Sequence, residues 1–365
     1  MRIIIRWIFL VVNFIFIICA LIAIGGSSIS PERFLIPAYF TLVFPYILLV
    51  NVLFVLFWLI FRRWFFVFSL ALLILSYPKL KIIFPINIKS ETKEISDNSF
   101  TLMTYNTWYF CRLKKHTVES PNEVIQHVLE KDADIVCLQE FVVMRNHLTE
   151  EDIVKAFKKY PYNHIYYKSE GKGQKSGIAT FSKYPIVKKE TIDMPSEVNS
   201  VISSDIVIGK DTIRLINCHL ESNRLTEKEK SMPLELRKNF DMESLSNVTR
   251  HLSGKLGTAY KTRAKQAEIV AKYIQNSPYK VITCGDFNDV PLSYSYTKVK
   301  GKNMQDVFEV LGCGLGNTFH ENLYNFRIDY ILCDQNFIPL QFELEKVDYS
   351  DHYPLTCRLE IKARP

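Results

Sequence analysis

Five polar residues lie where short apolar segments of the chain end, and their types suit the binding of a metal ion or a phosphate group. They are Asn106, Glu140, His219, Asp286 and Asn288. Oxygen ligands suit Mg²⁺, an ion that keeps several waters and binds substrate phosphate. Each residue also has an ordinary interpretation, for example a helix cap at Glu140 or a hydrogen-bonded core histidine at His219. Their joint recurrence in such contexts favours a site.

The segments that carry these residues predict an α/β domain from residue 99 onward. Short apolar strands alternate with amphipathic helices, beginning with a strand over 99–106 and a helix over 123–131. Further strands are predicted over 134–140, 177–181, 212–220, 279–284, 327–333 and 355–361. Because ligands gather where the strands of α/β sheets end, we expect the five side chains to lie together.

Seven short segments resemble, in order, motifs of the endonuclease/exonuclease/phosphatase superfamily, in particular its deoxyribonuclease-like and neutral sphingomyelinase-like branches. They are TYN at 104–106, LQE at 138–140, SGIATFSKYPI at 176–186, NCHLES at 217–222, GDFND at 285–289, RIDYIL at 327–332 and SDHYP at 350–354. The resemblance implies a four-layered α/β sandwich, in which two mixed sheets pack face to face with helices outside. It further implies a membrane-anchored member of bacterial type.

The resemblance also implies which residues bind the metal. Glu140 corresponds to the main metal carboxylate, Asn106 to its neighbour, and Asp351 to a second carboxylate near the ion. The implied ion is Mg²⁺, with Mn²⁺ as the alternative.

The other matching positions imply the groups that act on the phosphate. Asp286 would orient or deprotonate the attacking water, and Asn288 would donate to the transition-state phosphorane. His352 would contact the phosphate or act as a base, oriented by Asp329. His219 corresponds to a second histidine that binds phosphate or protonates the leaving oxygen. The identity of the base and the number of metal ions stay open.

The first 87 residues have a different composition, with long apolar runs. The runs cover 3–24, 35–61 and 64–78, and the last extends to about Ile86 across Lys79 and Lys81. Because a helix needs ~20 apolar residues to cross a bilayer, we expect about three spanning helices rather than a cleaved signal peptide. The predicted organisation is a membrane segment at 1–87, a polar linker at 88–98 and a catalytic domain at 99–365.

The placement of basic residues predicts the orientation in the membrane. Arg2 and Arg6 favour a cytoplasmic N-terminus, and Arg62 and Arg63 lie in the connection between the second and third runs. Three crossings then place the catalytic domain outside the cytoplasm, although lysines near the end of the third run argue against this.

Residues 222–275 form a long insert between two of the site strands. Its last part, 263–274, predicts an amphipathic helix that packs on the core. Two surface helices joined by a loop are one interpretation, and a lid or membrane-facing element is the other. Arg224 and Arg263 could meet a phosphate or be solvated.

The charge distribution separates the candidate functions. The net charge of +7 belongs almost entirely to residues 1–87, which contain seven basic residues and one acidic residue. A near-neutral catalytic domain argues against tight DNA binding, which needs many basic contacts. The sequence therefore favours a metal-dependent phosphodiesterase that acts on a lipid headgroup of the bilayer. An extracytoplasmic nuclease on DNA or RNA and a non-enzymatic scaffold are the alternatives. No obligate protein partner is predicted.

Overall fold

The computed structural model describes residues 2–87, 98–117, 119–226, 228–232, 241–321 and 324–362. Four helices come first: α1 Arg2–Gly26, α2 Ile36–Leu42, α3 Phe44–Ile60 and α4 Phe66–Ile83. The predicted linker at 88–98 lies outside the described residues, apart from Asn98.

The predicted catalytic part, from residue 98 onward, contains among its described residues fourteen strands, six helices with both ends given, and a short helical segment at 228–232. The strands are β1 Ser99–Asn106, β2 Ile135–Met144, β3 Tyr162–Gly171, β4 Gln174–Ser182, β5 Ile186–Ile192, β6 Val201–Ile208, β7 Asp211–His219, β8 Lys280–Asp286, β9 Met304–Asp306, β10 Phe319–Glu321, β11 Tyr324–Phe326, β12 Asp329–Asp334, β13 Phe337–Leu344 and β14 Leu355–Ile361. The helices are α5 Trp108–Leu113, α6 Glu123–Lys131, α7 Glu150–Ala156, α8 Met242–Gln275, α9 Tyr294–Lys300 and α10 Val307–Leu311.

Two six-stranded mixed sheets pack against each other. Their orders are β13-β14-β1-β2-β4-β3 and β5-β6-β7-β8-β12-β9, while β10 and β11 form a separate hairpin. Leu102 and Cys137 of the first sheet and Leu215 and Cys284 of the second are fully buried in one shared core. Helices α6 and α7 cover the outer face of the first sheet, and α8 and α9 cover that of the second. The predicted four-layered sandwich is confirmed.

The second apolar run is not one straight helix. It divides at Val43 into α2 and α3, whose axes differ by 69°. Pro45 lies in the first turn of α3 and has no N–H to continue the hydrogen bonding of α2. Among the described residues, two helices are thus long and apolar enough to span a membrane, or three if the bent pair counts as one span.

Four polar side chains from three of these helices form a buried network. Asn13 donates to Ser69 at 2.7 Å, Ser69 donates to Asn51 at 3.1 Å, and the Trp58 indole donates to Asn13 at 3.0 Å. Because each polar group finds a partner, the network fixes α1, α3 and α4 relative to one another.

Within the insert, α8 is one continuous helix that does not break at Gly254 or Gly257, and a short helical segment precedes it at 228–232. Its buried side chains include Ala267 and Val270, which pack on the second sheet as predicted. Its N-terminal half instead contacts the apolar helices at the start of the chain, since the Tyr39 hydroxyl donates to the Ser253 carbonyl at 2.6 Å. Helix α8 passes through both glycines because these tertiary contacts outweigh the low helix propensity of glycine. The insert thus has helical residues at 228–232 and in α8, and residues 233–240 between them lie outside the described residues, so both interpretations of the insert stay predictions.

Further contacts join the helical segment to the catalytic part. Lys265 of α8 pairs with Glu32 at 3.0 Å, and the buried Arg327 donates to the Ile82 carbonyl at 2.6 Å. The α1–α2 connection and the end of α4 therefore lie on the side of the helices that faces the catalytic part.

Candidate active site

Strand register brings three of the predicted residues into one row. In the parallel pair β7–β8, His219 lies opposite Asp286, and in the antiparallel pair β8–β12, Asp286 lies opposite Asp329. All three side chains are buried. The row forms one wall of the site at the edge where β7 and β8 end.

Glu140 reaches the site through a bulge rather than a strand end. The strand predicted to stop at this residue continues to Met144, and its pairing with β4 shifts between Leu138 and Phe141. Glu140 has a left-handed φ of 49°, and the Thr107 hydroxyl donates toward its carbonyl at 3.0 Å. Such bulges redirect a side chain, here toward the cavity.

Asn106 and Asn288 hold the carboxylates in place. The Asn106 amide nitrogen donates to Asp286 at 3.0 Å and contacts Glu140 at 3.5 Å, while its oxygen accepts from the Trp108 backbone at 3.1 Å. The Asn288 backbone donates to Asp286 at 2.7 Å. Its side-chain nitrogen donates to the Leu220 carbonyl and to Asp286. In this arrangement both amides position Asp286.

His352 and Asp329 form the predicted pair. The distance from His352 Nδ1 to Asp329 Oδ2 is 2.8 Å, and Nε2 lies 3.8 Å from Asp286. Burial lowers the pKa of His352, but the charges of Asp329 and Asp286 outweigh this and raise the pKa well above 6.5. The imidazole is therefore protonated at neutral pH and can donate to a phosphate oxygen.

His219 differs from His352 in charge. Burial, and then the charge of His352, lower its pKa to about 3. Its Nε2 is buried and has no hydrogen-bond partner in the part of the chain that the structure describes, and it lies 3.7 Å from Asp286 and 3.9 Å from Glu140. A neutral imidazole there is available to a ligand between the two carboxylates.

The carboxylates of Glu140, Asp286 and Asp351 crowd one end of the cavity. Within the described ranges, no lysine or arginine forms an ion pair with any of the three. Burial and the charge of Asp351 raise the pKa of Glu140 to about 7, and burial raises the pKa of the other two carboxyls. Three crowded carboxylates without a lysine or arginine partner, beside the single cation of His352, fit a divalent cation.

A second group could also hold an ion by distance alone. Asp286, Asp329 and His352 offer ligand atoms within 4.8 Å of one another. An ion bound to this group would compete with the hydrogen bond between Asp329 and His352. Glu140 and Asp351 are the better candidates for the metal, with Asp286 beside them.

These residues line one end of a cavity of about 380 Å³. The rest of its wall is largely apolar and comes from the insert, the β10–β11 hairpin, the loop after β8 and helix α2. The apolar lining includes Leu225, Leu252, Leu256, Val290, Phe319, Phe326, Ile328 and Leu42. The cavity thus joins a charged end to apolar walls.

Two residues of the site had no clear signal in the sequence. Tyr109 lies on the left-handed α5, where all six φ angles fall between 44° and 66°. It lines the cavity, and the charge of Glu140 and burial raise its pKa to about 12. Lys230 lines the cavity too and pairs with Glu321 at 2.5 Å.

Arg263 is not solvated, although it belongs to the residues that line the cavity. It is 1% exposed, it lies 3.3 Å from Asp289, and it donates to the Glu221 carbonyl at 2.7 Å. It joins α8 to the loops that follow β7 and β8. Arg224 pairs with Glu221 at 2.7 Å and stays half-exposed at the cavity.

Two packed mixed sheets with carboxylates and an aspartate–histidine pair at one end place the chain among the phosphoesterases. More specifically, it belongs to the Endonuclease/Exonuclease/phosphatase family, whose model matches residues 103–352. Members of this family are hydrolytic phosphoesterases and nucleases that generally use a divalent metal. A domain of unknown function (DUF8431) matches residues 6–83.

Solved structures share the fold at low sequence identity. An endonuclease/exonuclease/phosphatase from Beutenbergia cavernae is 15% identical, with 73% of each chain covered and a TM-score of 0.51. The human Nocturnin catalytic domain with bound sulfate is 15% identical, with 74% of this chain and 97% of that chain covered and a TM-score of 0.51. Humanized D. rerio TDP2 is 18% identical, with 73% and 100% covered and a TM-score of 0.49. No curated protein matches the sequence.

The raised pKa of Glu140 predicts how metal and pH affect stability. A carboxyl with a higher pKa in the folded state costs stability above its unfolded pKa. In metal-free protein this cost is absent below about pH 4.5 and complete above about pH 7. At pH 8 in EDTA, the Glu140→Gln variant should therefore be more stable than wild type by about 2 kcal/mol in the free energy of unfolding. Its unfolding temperature should be several degrees higher.

Thermal unfolding of the full chain in detergent, at pH 4 and pH 8, measures this difference. We expect the two proteins to coincide at pH 4. Saturating Mg²⁺ at pH 8 should stabilise wild type more than the variant, since the ion binds the folded state. If wild type and Glu140→Gln unfolded at the same temperature at pH 8 in EDTA, the buried charge of Glu140 would not destabilise the folded protein.

Proposed function

We propose that the protein is a membrane-tethered, divalent-metal-dependent phosphodiesterase that acts on the phosphodiester of a lipid headgroup. The observation that carries this proposal is the composition of the cavity wall. The carboxylates lie at one end, and Leu42 of the membrane segment lies in the wall together with apolar residues. Such a cavity suits an amphiphile, and tethering holds the enzyme at a high effective concentration of lipid.

The packing of the helices supports a bilayer on one side of the catalytic domain. The α1–α2 connection and the end of α4 contact the catalytic part. Arg2, Arg6, Arg62 and Arg63 belong to the opposite helix ends. By the positive-inside rule those ends are cytoplasmic, so the catalytic domain is extracytoplasmic.

Each site residue has a role in the proposed hydrolysis. Asp286, whose pKa is raised by burial and by the charge of Asp329, accepts the proton of the attacking water. His352 donates to a non-bridging phosphate oxygen, and Asp329 fixes its ring orientation. The neutral His219, whose Nε2 has no hydrogen-bond partner among the described residues, lies where it can contact the leaving oxygen or the phosphate. Asn106 and Asn288 hold Asp286.

Glu140 and Asp351 would hold the metal ion. When bound, Mg²⁺ or Mn²⁺ would polarise the phosphoryl oxygen and offset the charge that develops on it. The catalytic residues then need only orient water and donate to the phosphate, which Asp286 and His352 are placed to do.

A nuclease is the competing proposal. The structure of D. rerio TDP2 with a single-strand DNA product places nucleic acid on one protein of this fold. Proteins that bind single strands use a basic groove with aromatic side chains. In this chain Lys230 and Arg224 are paired with acidic residues, and much of the cavity wall is apolar. These features favour a lipid.

The proposal is tested with the full chain in nanodiscs, in Mg²⁺ and in EDTA. The substrates are sphingomyelin, phosphatidylinositol, a single-stranded oligonucleotide and supercoiled plasmid. We expect metal-dependent release of a lipid headgroup, and little cleavage of nucleic acid. Cleavage of the nucleic acids with intact lipids would establish a tethered nuclease instead.

A further inference from the structure

A second cavity of about 130 Å³ adjoins the active-site cavity at the bend between α2 and α3. The two cavities share three lining residues, Leu42, Val290 and Phe326. These side chains form the partition between them. The space beside the bend in the helices is therefore divided from the active-site cavity by three apolar side chains.

The walls of the second cavity come from both parts of the chain. Pro45 and Ile83 belong to the apolar helices, whereas Pro291 and Leu315 belong to the catalytic part. Tyr46 and Leu315 are also half-exposed at the surface, at 65% and 47%. The cavity thus opens where the apolar helices meet the catalytic domain.

Most of the wall of this cavity is apolar, with Asn317 and Asn325 among its polar residues. Arg327 is 3% exposed, and it pairs with Asp306 at 3.2 Å and with the Ile82 carbonyl, while its Nε has no hydrogen-bond partner among the described residues. The Thr41 hydroxyl is bonded within the helices, to the Pro37 carbonyl at 2.9 Å. The largely apolar wall suits a hydrocarbon chain better than a peptide or a nucleotide.

We propose that this second cavity is a port for one acyl chain of the lipid substrate. The inference rests on the proposed function and adds the route by which the lipid reaches the site. The chain lies past Leu42, Val290 and Phe326 while the phosphodiester lies at Glu140 and His352. A lipid raised from the bilayer would otherwise expose the methylenes of its acyl chain to water. An apolar port removes the free-energy cost of that exposure.

The bend in the helices explains why the port lies there. A straight helix over 35–61 would present a closed row of side chains, whereas the break at Val43 separates α2 from α3. Leu42, the last residue of α2, lines both cavities beside that break. The apolar helices would then shape the substrate path as well as attach the enzyme.

The test compares Val290→Trp, which fills the partition, with Val187→Trp, which places the same side chain at an exposed position of β5. Full-length proteins in nanodiscs are assayed on the long-chain lipid that wild type cleaves best. They are also assayed on the soluble glycerophosphodiester with the same headgroup and no acyl chains. We expect the lipid-to-soluble ratio of kcat/KM to fall at least ten-fold in Val290→Trp and to stay at the wild-type value in Val187→Trp.

A second measurement covers the case in which Val290→Trp disturbs the whole site. A lipid with a photoactivatable group in its acyl chain is cross-linked to the wild-type protein, and the modified peptides are identified by mass spectrometry. We expect modification of residues 290–292 and 325–328 of the catalytic part.

The outcomes distinguish the proposed acyl-chain port from the proposed lipid hydrolysis. An unchanged ratio in Val290→Trp, or cross-links confined to the apolar helices, would overturn the port and leave lipid hydrolysis standing. Failure of the wild type to cleave any lipid would overturn both proposals together.

Discussion

Replacing Glu140 by glutamine should lower kcat/KM for phosphodiester hydrolysis about 10³-fold, because a metal contributes several kcal/mol to charge stabilisation. Glutamine keeps the shape of the side chain but removes the charge that the bulge in β2 directs into the cavity. Asp351 and Asp286 remain, so we expect weaker metal binding rather than unfolding. Calorimetric titration with Mg²⁺ measures the affinity, and steady-state kinetics measure the rate.

The matched control is Glu170→Gln, which removes a glutamate that is paired with Lys175 on the surface. It should leave metal affinity and rate unchanged, since exposed ion pairs contribute little. If Glu140→Gln kept more than a tenth of wild-type activity and its Mg²⁺ affinity, Glu140 would not be the principal metal ligand. The metal site would then move to Asp286, Asp329 and His352.

Replacing Asp329 by asparagine should lower kcat about 10²-fold to 10⁴-fold, because the partner of His352 sets its tautomer and charge. The pair is buried, and the distance from Nδ1 to the carboxylate is 2.8 Å. Loss of the Asp329 charge also lowers the pKa of His352, so the protonated ring is lost at a lower pH. We therefore expect the alkaline limb of the pH–rate profile to move to lower pH.

Asp348→Asn provides the comparison, because Asp348 also lies near a histidine, 3.7 Å from His320, but is 93% exposed. That variant should retain the wild-type rate and profile. A normal pH profile in Asp329→Asn, combined with a lower rate, would assign Asp329 a structural role only. Imidazole added to His352→Gly should restore part of the activity if the ring itself donates to the phosphate.

The order of motifs made much of the fold and candidate site predictable. The strand at 99–106 and the helix at 123–131 have the predicted bounds, because their apolar periodicity agrees with the tertiary packing. His219, Asp286 and Asp329 lie in one row, because register follows from strands that were themselves recognisable. Their catalytic roles remain predictions.

Features that depend on distant contacts could not be predicted. Helix α8 runs through two glycines because Tyr39 and the second sheet support it from opposite ends. Arg263 is buried because Asp289, far along the chain, compensates its charge. The left-handed α5 contains no glycine or asparagine, so no local signal indicates its conformation. Only the folded arrangement brings its Tyr109 to the cavity.

The active-site cavity takes its wall from two regions of the chain that match separate families, residues 6–83 and residues 103–352. Leu42 comes from the first region and the catalytic carboxylates from the second. If the protein hydrolyses a lipid as proposed, selection for that substrate would act on both regions at once, and a change at the end of α2 would alter which substrate is accepted without changing a proposed catalytic residue. Recombination that exchanged the N-terminal helices between relatives would diversify specificity while every catalytic residue was inherited unchanged.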